Sequence, residues 1–220
     1  WKDMSSFASW NITGDLAYMC NTQGINILLN LFFGPVVNAA RGVAVQVESV
    51  MIQFIGNFQT AISPQITKSY AAGNIEQTRH LTLKASKFCF FLMMIIAIPA
   101  FLEIEYVLKL WLQKIPTYTV IFAKLTIIMI IFDCLSRPLH LAIFATGTVK
   151  KYQIIQSSIY LLILPISYIL LKNLHVTPNV IIGVLALFKF IVLTVRIKLT
   201  STLIAIPINK YITNVLVPSV

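Results

Sequence analysis

The sequence predicts an all-α fold, a polytopic transmembrane helix bundle, on three observations. The first is composition. The chain is 58% hydrophobic and 11% charged, its mean hydropathy is +0.84, and a soluble domain carries about 25% charged residues. A soluble fold of 220 residues could not hide that much apolar surface in one core, because surface falls only slowly relative to volume at this size. The second is block length. The apolar residues come in runs of about 20, the length that crosses about 30 Å of hydrocarbon at about 1.5 Å per residue. The third is continuity. Membrane β-strands alternate apolar and polar residues over about ten positions, whereas these runs are unbroken. Helices remain, since lipid leaves no partner for a backbone group outside the segment itself.

Six spans follow in order: 10–33, 36–62, 85–102, 120–144, 154–171 and 180–197. Together they form one transmembrane unit over 10–198. Gly34-Pro35 separates the first two, and the Ala71-Ala72-Gly73-Asn74 stretch breaks the polar segment before the third. Pro116 and Pro178 stand just before spans, where a missing N–H costs nothing. Pro99, Pro138 and Pro165 fall inside spans, which membrane helices tolerate when neighbours satisfy the freed carbonyl. Residues 1–9, with Trp1 and Phe7 leading to Trp10, read as an interfacial segment. Residues 199–220 read as a second interfacial segment followed by the start of a further helix at Val215, Leu216 and Val217. The chain opens on Trp1 without a Met and ends as that apolar run begins, so both ends are expected to continue in a longer protein.

The formal net charge is +10. Charge of that sign on a soluble chain would point to nucleic acid. In a membrane chain it reflects the enrichment of Lys and Arg in cytoplasmic loops, and no nucleic-acid partner is expected. Lys2, Lys68, Arg79, Lys84, Lys87, Lys150, Lys151, Arg196 and Lys198 fall on one side of the predicted membrane. Lys109, Lys114 and Lys172 fall on the other, with Glu103 and Glu105 offsetting the first two. The first side is therefore assigned to the cytoplasm, and both ends of the chain with it.

The residues that do not belong in lipid are the informative ones, because an ionisable group there faces a cavity or a partner by default. They are Asp15 in the first span, Arg41 and Glu48 in the second, Lys124, Asp133 and Arg137 in the fourth, and Lys189 in the sixth. Lys124 is close enough to a span end to snorkel. Asn11, Asp15, Thr22, Asn26 and Asn30 recur on one face of the first span, and Asn38, Arg41 and Glu48 on one face of the second. Two such stripes mean either a shared aqueous cavity or hydrogen bonds that hold the helices together. Asp133 and Arg137 stand at i, i+4, a spacing that permits a salt bridge, with Pro138 next to them. That is either a self-neutralising structural pair or a charge site at a kinked helix.

No enzyme is expected: there is no Gly-rich phosphate loop, no acid–base pair and no nucleophile motif. No cofactor or metal is expected either, since His80, His140 and His175 have no ligand spacing. Cys20, Cys89 and Cys134 read as small core residues.

Residues 63–80, SPQITKSYAAGNIEQTRH, resemble the cytoplasmic loop after the second helix of each half in the MATE-like multidrug/oligosaccharidyl-lipid/polysaccharide flippase superfamily. Pro64, Lys68, Gly73, Asn74, Glu76 and Arg79 occupy the matching positions. NLFFGPVVNAARG (30–42), LKLWLQKIPTYT (108–119), ATGTVKKYQ (145–153) and LPISYILL (164–171) resemble the bacterial O-antigen and capsule repeat-unit flippases of that superfamily. The resemblance spans nearly the whole chain, carried by the order and spacing of individually weak motifs. It implies that the six spans are helices seven to twelve, one six-helix lobe of a two-lobe transporter, with a thirteenth beginning near Val215. It implies a bacterial inner (plasma) membrane location and a lipid-diphosphate-linked oligosaccharide substrate, moved from the inner to the outer leaflet by alternating access. The partners so implied are that substrate, the lipid bilayer, a coupling proton or sodium ion, and the missing N-terminal lobe.

An anionic headgroup crossing a low-dielectric region needs fixed positive charge. Arg41 is the first expected contact, followed by Arg137 and Lys189. Asp15, Asn26, Glu48 and Asp133 are expected to line the cavity, where the acids would bind the coupling ion or hold the arginines. The rival readings are a cation-coupled multidrug antiporter of the same fold, a membrane-embedded polysaccharide polymerase or ligase, and a non-transporting assembly subunit.

Overall fold

The computed structural model describes residues 2–216, and among them the chain is helical almost throughout with no strand. Seven helices follow one another: α1 (Lys2–Phe33), α2 (Pro35–Ala71), α3 (Ile75–Trp111), α4 (Thr119–Ala145), α5 (Val149–Leu174), α6 (Pro178–Ile204) and α7 (Ile208–Leu216). The connections are short, so consecutive long helices alternate in direction. Gly34 alone turns the chain between α1 and α2, at φ 79°, a conformation that glycine adopts without steric cost. Its N–H bonds the Asn30 carbonyl at 2.9 Å, and Pro35 starts α2 where no amide is needed. Between α2 and α3, Gly73 takes φ 75°. Asn74 caps α3 by accepting from the Gln77 N–H at 3.0 Å, and Thr78 Oγ1 donates to Ser69 Oγ at 3.1 Å across the hairpin.

The helices outrun the spans read from hydropathy. At about 1.5 Å per residue a helix of 37 residues is about 55 Å long, well beyond a hydrocarbon layer of about 30 Å. Hydropathy marks only the apolar middle; the caps mark the ends. The polar stretch expected between the second and third spans is therefore helix on both sides of a turn at 72–74, with Pro64 inside α2. The expected outer loop from Glu103 is likewise helix as far as Trp111, after a break at Glu103 (φ −101°, ψ 15°) one turn beyond Pro99. Glu105 and Lys109 pair there at 2.8 Å, both exposed. The interfacial segment expected at 1–9 is the first part of α1 from Lys2 on, and Trp1 lies outside the described residues. The further helix starts at Ile208 rather than Val215, and 217–220 lie outside the described residues.

α4 is the central element, packed against α2, α3 and α6, while α1 packs mainly on α5. One core layer joins Ile25, Leu29, Ala40, Phe122, Ile163 and Ile181. A second joins Met51, Ile55, Met93, Ala97 and Ile127. α7 closes the α3 side: Tyr211 and Val215 are buried against Leu135, Leu139 and Leu193, and the Tyr211 hydroxyl donates to the Leu135 carbonyl at 2.7 Å. The outer surface is apolar, with Ile27, Leu31, Ile95, Leu102 and Leu110 each two-thirds exposed or more.

Among the described residues four helices, α3 to α6, are long and apolar enough to cross a membrane. The protein is membrane-embedded. α1 and α2, also expected as spans, have the length but not the apolarity, because they carry Asn11, Asp15, Arg41 and Glu48. Helix order gathers Lys68, Arg79, Lys84, Lys150, Lys151 and Lys198 at one end of the bundle, termed the basic end below, and Lys109, Lys114 and Lys172 toward the other.

Candidate functional site

Five helices turn polar faces toward one another in the half of the bundle nearer the basic end. Each face follows helical spacing, which stacks residues three, four and seven apart on one side. α1 supplies Asn11, Asp15 and Tyr18, and α2 supplies Glu48, Ile52 and Gln59. α4 supplies Asp133, Arg137 and His140, α5 supplies Gln153, Gln156 and Tyr160, and α6 supplies Lys189 and Arg196. Together they line a cavity of about 570 Å³. A smaller cavity of about 170 Å³ continues toward the other end past Tyr18, Glu48, Tyr160 and Lys189, reaching Asn21, Thr22 and Arg41. From Asn11 to Ile25 along α1 the two cavities extend over about 20 Å of helix rise.

The hydrogen bonds order this interior in three groups. Lys189 Nζ meets Asp133 Oδ2 at 2.6 Å, with side-chain exposures of 18% and 13%. Arg196, only 7% exposed, is held by neutral partners alone. Its Nε donates to the Tyr152 hydroxyl at 2.9 Å, Nη1 to Ser136 Oγ at 2.7 Å and Nη2 to Gln156 Oε1 at 3.2 Å. The Tyr152 hydroxyl donates to Gln156 Oε1, so its oxygen accepts from His140 Nδ1 at 2.9 Å. Across the cavity, Gln153 Nε2 donates to Asn11 Oδ1 at 3.0 Å, and Arg137 Nη1 reaches Gln59 Oε1 at 3.5 Å.

Arg41 differs from all of these. It is 8% exposed, and its Nε and Nη1 are buried with no hydrogen-bond partner among the described residues. Guanidinium nitrogens so placed lose hydration without recovering it. It lies at the far end of the smaller cavity, with Glu48 two turns further along α2.

The two cavities thus carry Arg41, Arg137, Lys189 and Arg196 against Asp15, Glu48 and Asp133, and among the described residues only Lys189–Asp133 is an ion pair within this set. Neutral hydrogen bonds fix a guanidinium without cancelling its field. The arrangement can therefore accept an anion at several depths.

Of the residues expected from sequence, Asp15, Glu48, Asp133, Arg137 and Lys189 line the larger cavity and Arg41 the smaller. Asn26 lines neither and is half-buried. Steps of 4, 7, 4 and 4 along α1 drift by about 100° between Asn11 and Asn30 at 3.6 residues per turn, so the stripe leaves the cavity before Asn26. The i, i+4 ion pair of Asp133 with Arg137 does not form, because Lys189 from α6 approaches Asp133 more closely and Gln59 from α2 takes the arginine. Loop charge places Arg196 with the cations of the cytoplasmic side, yet it lies in the cavity wall. The signal for it is its seven-residue spacing from Lys189, as the 4 and 3 steps of Asp133, Arg137 and His140 are for the histidine. No protein-family model, no curated protein and no solved structure matches the chain.

Proposed function

We propose that this chain is part of a membrane transporter that carries an amphiphile with an anionic headgroup, a lipid-diphosphate-linked oligosaccharide, between the leaflets of a bacterial inner membrane. The observation that carries the reading is the membrane-embedded polar cavity in which three of four cations lack an anionic partner among the described residues. A diphosphate leaving water must replace its hydration with charge-assisted hydrogen bonds, and guanidinium groups match phosphate oxygens in pairs. Arg137, Lys189 and Arg196 in the larger cavity and Arg41 beyond them form a succession of such partners. Asp15 and Glu48 would bind the coupling proton or sodium ion, and Asp133 would hold Lys189.

The resemblance of residues 63–80 and the four shorter stretches to the O-antigen and capsule flippases favours the same substrate class. In that reading the six long helices are one lobe that rocks against a second lobe, and the basic end faces the cytoplasm by the positive-inside rule.

Arg41→Ala in the gene's own host tests the proposal. Surface polysaccharide should be lost while the protein remains in the membrane at its normal level. Normal export by that variant would sink the role of Arg41. Ethidium efflux by the unmodified protein, in a host without other pumps and with no glycan phenotype, would replace the anionic substrate with a cationic drug.

A further inference from the structure

The second large cavity lies outside the polar interior, at the basic end. It measures about 650 Å³ and is bounded by the start of α1, the α4–α5 turn and the end of α6. Phe7 and Phe144 stack edge to face at 6.0 Å, and with Tyr152 they separate it from the interior cavity. Its walls divide by chemistry. Phe7, Trp10, Leu199 and Leu203 make an apolar side, and Lys150 and Lys151 make a cationic one, with no Asp or Glu among the described residues of the lining. Lys150 Nζ sits 5.3 Å from the centre of the Trp10 ring, which joins the two sides.

The lysines stand where they are electrostatically unfavourable. They fall in the first turn of α5, at the positive end of a helix of 26 residues with no acid in that turn. The first amides of a helix lack partners within it, and the macrodipole there favours anions and disfavours cations. Thr148 at the N-cap makes no side-chain hydrogen bond to those amides; its hydroxyl is engaged with Thr146 instead, at 2.8 Å. Two cations, first-turn amides that the N-cap side chain does not satisfy and an aromatic–aliphatic wall meet in one groove at the level where Trp and Lys anchor membrane proteins.

We propose that this groove is a binding site for an anionic phospholipid of the surrounding bilayer. Its phosphate lies against Lys150, Lys151 and the α5 amides, and its acyl chains lie along Phe7, Trp10, Leu199 and Leu203. The charge of the lining selects the headgroup, and the apolar wall selects a lipid over a free phosphate. The site is separate from the transport cavity and does not depend on the function proposed for that cavity.

These 220 residues hold three tryptophans; a Trp1→Phe/Trp111→Phe variant keeps Trp10, whose own signal is the difference from a matched variant that also carries Trp10→Phe. Both would be reconstituted in phosphatidylcholine vesicles containing a small fraction of dibrominated lipid, either phosphatidylglycerol or phosphatidylcholine. Trp10 quenching should show a preference for brominated phosphatidylglycerol. A lysine at an anionic membrane surface favours binding by about fivefold, so Lys150→Gln/Lys151→Gln should remove most of the preference. Lys68→Gln/Lys84→Gln, which lowers the charge of the same end away from the groove, should leave it in place. Equal quenching by the two lipids would overturn the proposal, as would an equal loss in the two double variants, which would mean general surface charge. Relief of quenching by millimolar inorganic phosphate at constant ionic strength would also overturn it, in favour of a free-anion site.

Discussion

The Lys189–Asp133 contact offers the sharpest test of the interior, because sequence spacing and tertiary structure pair Asp133 differently. At 2.6 Å the attraction between unit charges is about 6 kcal/mol at an effective dielectric of about 20. Lost hydration offsets much of that. Breaking a dry buried pair by removing one partner costs about 3–5 kcal/mol. This pair is 18% and 13% exposed and borders a cavity with room for water, so we expect about 2–3 kcal/mol for Lys189→Met or for Asp133→Asn, below the dry-pair range. The double variant should cost little more than either single one, giving a coupling energy of about 2 kcal/mol in a double-mutant cycle. The assay is reversible unfolding in mixed detergent–denaturant micelles, followed by circular dichroism. A parallel cycle of Asp133→Asn with Arg137→Gln should give coupling within about 0.5 kcal/mol, because Arg137 bonds to Gln59 instead. Additive losses in the first cycle, or a larger coupling in the second, would refute the assignment and restore the i, i+4 pair.

Three further predictions concern the scaffold. Tyr211→Phe removes the hydroxyl that reaches the Leu135 carbonyl and should cost about 1 kcal/mol, whereas Tyr211→Ala should cost about 3–5 kcal/mol and speed proteolysis at 205–207. Gly24→Ala would drive a Cβ into the Leu164 side chain, while Gly183 has nothing within 4 Å of that position; the first should destabilise by about 1–3 kcal/mol and the second stabilise by up to about 1 kcal/mol, read as opposite shifts of the unfolding midpoint. Asn74→Ala loses the bond to the Gln77 N–H and should cost about 1 kcal/mol, measured as the same shift.

Much of the fold is legible in the residues. Gly34-Pro35 marks the α1–α2 turn and Gly73-Asn74 the α2–α3 turn, because a positive φ, a missing amide and a cap are local demands that particular residue types meet. Helix lengths were less legible. The segments around Lys68 and Glu76 are polar enough to read as loops, yet they belong to helices that rise out of the apolar layer, and the helix resumes after the break at Glu103.

That the chain lives in a bilayer, that it is helical, and that α1 and α2 carry polar faces with Asp15, Arg41 and Glu48 can all be read from the residues alone. Those properties follow from composition and from the period of one helix, and need no knowledge of neighbours. Which faces meet is settled by packing. It brought Lys189 to Asp133 across 56 positions and set Arg196 among Tyr152, Ser136 and Gln156. It also left two buried nitrogens of Arg41 without a hydrogen-bond partner among the described residues and drew Lys150 over Trp10. Pairing between helices depends on their rotation and relative height, which no single helix encodes. A charge in the low-dielectric interior takes the nearest partner that packing presents, and spacing along one helix does not identify that partner.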